Sequence, residues 1–311
     1  MIKLALAFLA TTLVSGAAFA DNDDCRNIQL QAQQTAFDLT TNPNITSNMI
    51  IKADTRVKGC SFFVTFDYGL SANYASRSLK YWLSAWPFQM YKDSGNTQVL
   101  KNFPQVNDYN DVLSGSLPDK GGNDAQVSLP YWVTVDLSAP WRQQGTYSEW
   151  ITATLYKGTL SRYEFVRSVV VAFYMNAPKR ADISVVPSGG SFNIADVTET
   201  MDFGTLATGT TRSCDVIVKY NAGYILYASS QNNGRLKHET AAAYIPYTIS
   251  IGGTSVNLGS SASNPVQVKR ELGTSPSSGK ILPTTVTIGS YTQDQSGNYN
   301  DIITLTVQSA E

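Results

Sequence analysis

The chain has 311 residues, 15% of them charged, with a formal net charge of −1. Without a basic face it is no electrostatic reader of nucleic acid, and its length allows two domains of ordinary size. His238 is the only histidine and sits in no nucleophile pattern, so the chain reads as a non-enzyme with no cofactor and no metal site.

Residues 1–20 combine a lone Lys3, an apolar run from Leu4 to Val14 and the small-residue ending Ala18-Phe19-Ala20. This predicts a secretory signal peptide cleaved before Asp21; no later run reaches the ~18 apolar residues that a membrane span needs. Asp21, Asp23 and Asp24 read as a flexible acidic terminus. Export permits disulfides, but three cysteines cannot all pair within one chain. Cys25 and Cys60 both lie in the first half and are expected to bond, closing a loop worth about 4 kcal/mol in chain entropy. Cys214 is then the odd thiol. It opens Cys214-Asp-Val216-Ile-Val218 just as Cys60 opens Cys60-Ser-Phe62-Phe-Val64, and reads as a strand residue that lost its partner.

Turn clusters interrupt the chain every ten to fifteen residues, and the segments between them alternate. Val127-Ser-Leu129-Pro-Tyr131-Trp-Val133-Thr-Val135 places apolar side chains at every second position, as does Ile245-Pro-Tyr247-Thr-Ile249-Ser-Ile251 before a Gly252-Gly253 turn. One segment occurs twice without a gap. Gly145-Thr-Tyr147-Ser-Glu149-Trp-Ile151-Thr-Ala153-Thr-Leu155 aligns with Gly297-Asn-Tyr299-Asn-Asp301-Ile-Ile303-Thr-Leu305-Thr-Val307. After the first copy comes a turn at Lys157-Gly158-Thr159 and one more apolar strand, Phe165 to Tyr174; after the second no such strand follows before Glu311.

These features predict an all-β chain of two immunoglobulin-like β-sandwich domains, the C-terminal one lacking its last strand. The composition shift at Asn176–Arg180 separates 21–177 from 178–311. Tyr147 and Tyr299 fall where tyrosine corners form, so their hydroxyls are expected to bond backbone, and Glu149 and Asp301 read as paired turn residues rather than an acid–base couple. Ile303, Leu305 and Val307 would face a core that nothing closes, beside an unpaired edge that aggregates unless filled. A strand burying about 400 Å² there would gain on the order of 10 kcal/mol before ordering costs.

The run Met201-Asp-Phe203-Gly204, Cys214-Asp-Val-Ile-Val, Arg235-Leu236, Tyr244-Ile-Pro-Tyr247 and Leu282-Pro283 before Gly297-Asn-Tyr-Asn-Asp301 resembles the spore coat protein U domain. That domain occurs in subunits of archaic chaperone–usher pili of the Csu type. The resemblance implies donor-strand complementation: a periplasmic pilus chaperone would hold the incomplete fold, an outer-membrane usher would assemble it, and the next subunit would supply the strand. The donor-strand groove would then be formed by Phe192, Ile194, Ile303, Leu305 and Val307. Only Asp21 to Asp24 precede Cys25, leaving no donor extension, so the resemblance implies a tip adhesin on an extracellular pilus, with an adhesive N-terminal domain and a role in attachment and biofilm formation.

Strand direction places Leu160 and Tyr163 at the end of the first domain that faces away from the linker. The loop Gly69–Tyr74 and the segment Tyr109–Pro118 are expected to share that end, while Trp141 lies beside the second domain. Leu70, Tyr74, Val112, Leu113, Leu117 and Leu160 are the predicted contact surface for an abiotic hydrophobic surface or a host receptor. The alternative is a free secreted carbohydrate-binding β-sandwich protein, with polar groups supplied by Asn107–Asp124.

Overall fold

The computed structural model describes residues 25, 27–53, 59–119, 125–138, 141–292 and 295–310; the predicted signal peptide and the acidic residues before Cys25 lie outside them. Ten strands build the first sandwich: β1 (Ile28–Ala32), β2 (Ala36–Asp38), β3 (Asn44–Ala53), β4 (Ser61–Phe66), β5 (Ser78–Tyr81), β6 (Ser84–Tyr91), β7 (Leu113–Ser116), β8 (Gln126–Val135), β9 (Gly145–Thr159) and β10 (Arg162–Ala177). One layer runs β1-β3-β8-β6 and the other β2-β10-β9-β4-β7, with β5 bridging from β6 to β9 through Lys80 opposite Ser148. Alternation puts Leu30, Met49 and Val133 of one layer against Phe62, Ile151 and Phe173 of the other in a single apolar cluster. Each such side chain contributes about 1.5–3 kcal/mol. Cys25 and Cys60 are disulfide-bonded, with Cα atoms 5.1 Å apart.

The second sandwich comprises β11 (Ala181–Pro187), β12 (Thr211–Tyr220), β13 (Tyr224–Ser230), β14 (Arg235–His238), β15 (Tyr244–Ile251), β16 (Thr254–Val256), β17 (Val266–Glu271), β18 (Lys280–Ile288), β19 (Tyr299–Asn300) and β20 (Ile303–Ser309). Its layers are β11-β12-β18-β15-β16 and β17-β13-β20, and β14 bridges from β15 to β19 through Lys237 opposite Asn300. The plan repeats strand for strand: β9 pairs with β4 as β20 pairs with β13, and β3 pairs with β8 as β12 pairs with β18.

The repeat corrects one expected equivalence. Cys60 leads into β4, the partner of β9, whereas Cys214 lies on β12, which matches β3 in the opposite layer. Period-2 alternation fixes which face of a strand is apolar but not which layer the strand joins. Cys214 is buried and free.

The two sandwiches differ most beside β9. β9 pairs with β10 from Arg162 to Ala177, and β2 adds a parallel strand beyond β10 through Phe173 opposite Phe37. β20, the counterpart of β9, pairs with β13 alone among the described residues.

The junction is held by Asn221, which is buried and satisfied on every side. Its side chain donates to the carbonyls of Arg142 and Pro178 and accepts from the Arg180 N–H, while its own carbonyl accepts from the Gln144 N–H. Trp141 packs edge-on to Phe192 at 6.3 Å, under Arg180 at 5.0 Å and Lys219 at 5.7 Å.

Candidate functional site

A groove of about 1450 Å³ opens between the layers of the second sandwich, where the first sandwich holds β10. Val216, Ile249, Ile251 and Val286 form its floor, and Ile303 and Leu305 of β20 line one side. The extended segment Val197–Leu206 lines it from another direction through Met201, Phe203 and Leu206, and belongs to no strand. Two stretches of backbone that join no further strand among the described residues therefore flank an apolar floor, an arrangement that accepts a β-strand.

The internal copy measures what is missing. Ile151, Ala153 and Leu155 of β9 are fully buried with β10 alongside, while their counterparts Ile303, Leu305 and Val307 are only half-buried. Identical alternation in sequence thus gives different burial, because only one copy is covered.

The lip of the groove is built with care. Tyr299 donates its hydroxyl to the carbonyl of Gln295, as Tyr147 does to Gln143, each four residues back, so both expected tyrosine corners are present. Asp301 accepts from the N–H groups of Asn232 and Ile302 and from the hydroxyls of Ser230 and Tyr247. Burial and the Asp301 contact raise the Tyr247 hydroxyl far above its usual value, which keeps it neutral and donating. Glu149 plays the same part in the first sandwich, accepting from Leu70 and Trp150. His238 accepts at Nδ1 from the N–H groups of Thr240 and Ala241, so its Nε2 donates to the carbonyl of Ser296. These groups shape a turn, and each is occupied in doing so. Cys214 lies on the groove floor, its thiol pushed up to about 11 by burial and by nearby Glu199 and Asp215; so protonated a thiol is a poor nucleophile at neutral pH.

No family model and no curated protein sequence matches the chain. Solved structures do. The CsuC–CsuE chaperone–tip adhesion subunit pre-assembly complex of archaic Csu pili from Acinetobacter baumannii is 11% identical with a TM-score of 0.44, the match covering 90% of this chain and 99% of that one. The CupB6 tip adhesin of Pseudomonas aeruginosa is 10% identical with a TM-score of 0.39, covering 90% and 93%. The CFA/I adhesin CfaE of enterotoxigenic E. coli is 10% identical with a TM-score of 0.35, covering 91% and 82%.

Of the residues expected in the groove, Ile303 and Leu305 line it and Val307 packs against the same core. Phe192 does not; it faces Trp141 at the junction, and Ile194 points to solvent at 57% exposure. The stretch that carries them turns back to the first sandwich before Met201 and Phe203 reach the groove. Met201-Asp-Phe203 was the available signal: an alternating pair inside a segment otherwise free of pattern.

The expected contact surface is corrected more heavily. Tyr74, Val112, Leu113 and Leu117 are buried. Tyr74 bonds the Phe66 carbonyl and the Asn102 N–H, and buried Arg77 stacks 4.9 Å over its ring while donating to Asp67, Gln89 and Leu100. Burial pulls that guanidinium down to about 10. Leu113 and Leu117 belong to the main core. Leu70, 74% exposed, and half-exposed Leu160 remain accessible. Nor does the 69–74 loop share an end with Leu160: the Leu70 N–H bonds Glu149, well along β9 from the Thr159 turn.

The end of the first sandwich away from the linker instead carries rings. Phe103 stacks on Tyr163 at 4.7 Å, both meet Tyr156 edge-on, and Phe165 extends the group. Tyr163 and Phe165 are 45% and 58% exposed. At the opposite end, Trp82 and Leu83 form the two-residue β5–β6 turn in open solvent, with Trp82 at φ 51°, a conformation that glycine or asparagine adopts far more readily. A two-residue gap between alternating segments marks that turn in sequence, but its apolar pair hid the signal.

Proposed function

We propose that the chain is the two-domain tip adhesin subunit of a chaperone–usher pilus, anchored by a donor strand that fills the groove of the second sandwich. The observation that carries this reading is the apolar groove, flanked by backbone that joins no further strand among the described residues, at the place where the first sandwich has β10. A periplasmic chaperone would occupy the groove first, an outer-membrane usher would receive the complex, and the next subunit would then supply the permanent strand. The first sandwich is complete, so it is free to bind a surface or host receptor at the tip, outside the cell.

The test is expression of the full chain with and without its candidate chaperone, followed by immunolabelling of assembled fibres. We expect soluble protein only with the chaperone, and label confined to fibre ends. A soluble monomer without any partner, or uniform label along the shaft, would overturn the proposal. The ring cluster around Tyr163 favours a second reading, a free carbohydrate-binding protein; glycan binding by a soluble chain that joins no fibre would select it.

A further inference from the structure

The first sandwich contains a worked example of a filled groove. On β10, Phe173 stands opposite Glu149, stacks on Phe37 with centroids 5.3 Å apart and meets Phe88 at 5.5 Å. Three groups thus surround that ring, and each has a counterpart in the second sandwich. Asp301 takes the place of Glu149 by the repeat itself. Phe88 lies opposite Val135 and Tyr247 opposite Ile288, at matching positions of β6 and β15, so Tyr247 takes the place of Phe88. Phe203 precedes β12 as Phe37 precedes β3, and it packs against the second core. Both Tyr247 and Phe203 line the groove. The slot is present, and the ring that fills it is not.

The neighbouring positions extend the match. Val171 lies opposite Ile151 and Val169 opposite Ala153; the second sandwich keeps isoleucine as Ile303 but replaces Ala153 by Leu305. A larger residue on β20 leaves less room across from it.

We propose that the strand accepted by the second sandwich carries the pattern of β10: it runs antiparallel to β20, seats an aromatic ring among Asp301, Tyr247 and Phe203, places a β-branched residue beside Ile303, and has a residue no larger than valine beside Leu305. This rests on the strand-accepting reading above and adds the side-chain chemistry of the partner.

The test uses the full chain refolded with three synthetic peptides bearing a lysine tail for solubility. The first is Arg167–Ala177 of this chain, the second the same peptide with Phe173→Ser, and the third an alternating valine–threonine strand of equal length. Binding is read by soluble monomer yield and by fluorescence anisotropy of a dye attached to the lysine tail of each peptide. We expect the first peptide to bind at least tenfold more tightly than either of the others. Equal binding by the valine–threonine strand, or by the Phe173→Ser peptide, would overturn the β10 template while leaving strand acceptance standing. Failure of all three peptides would also overturn the template, and if the chain is then monomeric on its own, strand acceptance falls with it.

Discussion

Glu149 and Asp301 occupy one position in two copies, and each secures the loop that follows the neighbouring strand. Glu149 is fully buried, and burial holds its carboxyl above the ordinary 4.5 despite the N–H groups of Trp150 and Leu70. A carboxyl whose folded value is raised favours folding when protonated. Its contribution is complete below the unfolded value and is lost as pH rises through the folded one. Other groups slope the opposite way: burial alone would raise Asp111, but Lys101 and the Asn107 N–H bring it below its usual range. The difference between wild type and Glu149→Gln isolates the single group. We expect the stability of the wild-type first sandwich, relative to this variant, to fall as pH rises from the ordinary carboxylate range through the raised Glu149 value, measured by chemical denaturation. A relative stability that rises over that range would contradict the assignment.

At the scale of the element, β10 decides whether a sandwich is self-sufficient. It buries Val171, Phe173 and Met175, together about 6 kcal/mol at roughly 2 kcal/mol each, a large share of the 5–15 kcal/mol that typically holds a domain. Residues 21–177 should therefore fold alone, and a version ending at Ser161 should aggregate or unfold, as judged by size-exclusion chromatography and circular dichroism. A folded, monomeric 21–161 fragment would refute this. Much of the element was legible in sequence, since alternation and the Gly-x-Tyr corner act over a few residues and leave a local imprint. The far side of the groove was less so. Met201 and Phe203 sit in a stretch that joins no strand ladder among the described residues, so no period marks it, and Phe192 looks just as suitable there. The loops misled for a related reason: Tyr74 and Val112 lie between strands in the chain and Leu113 only opens β7, yet Arg77 ties the first loop down through the Asp67 and Leu100 carbonyls, and Lys101 ties the second down through the Asp111 carbonyl and carboxylate. Such long-range closure has no counterpart in local sequence.

Over the whole molecule, Asn221 links both sandwiches through contacts that no aliphatic residue can copy. Asn221→Ala would leave the Arg142 and Pro178 carbonyls and the Arg180 N–H without this partner; Pro178 and Arg180 are exposed, so water can replace it there, and each lost bond costs about 0.5–1.5 kcal/mol. With a strand bound to keep the protein soluble, we expect small-angle scattering from this variant to report a broader range of domain orientations, while the first sandwich melts as before. Unchanged scattering would show that the Trp141 contacts suffice alone. The continuity of β10 into the linker has a mechanical consequence. Its bonds to β9 lie across the strand axis, so tension drawn between a surface at the far end and an anchor in the second sandwich pulls β10 along its length. Every rung of the ladder is then sheared at once, with no end from which to unzip, and the strand that completes the first sandwich is also its tow-rope.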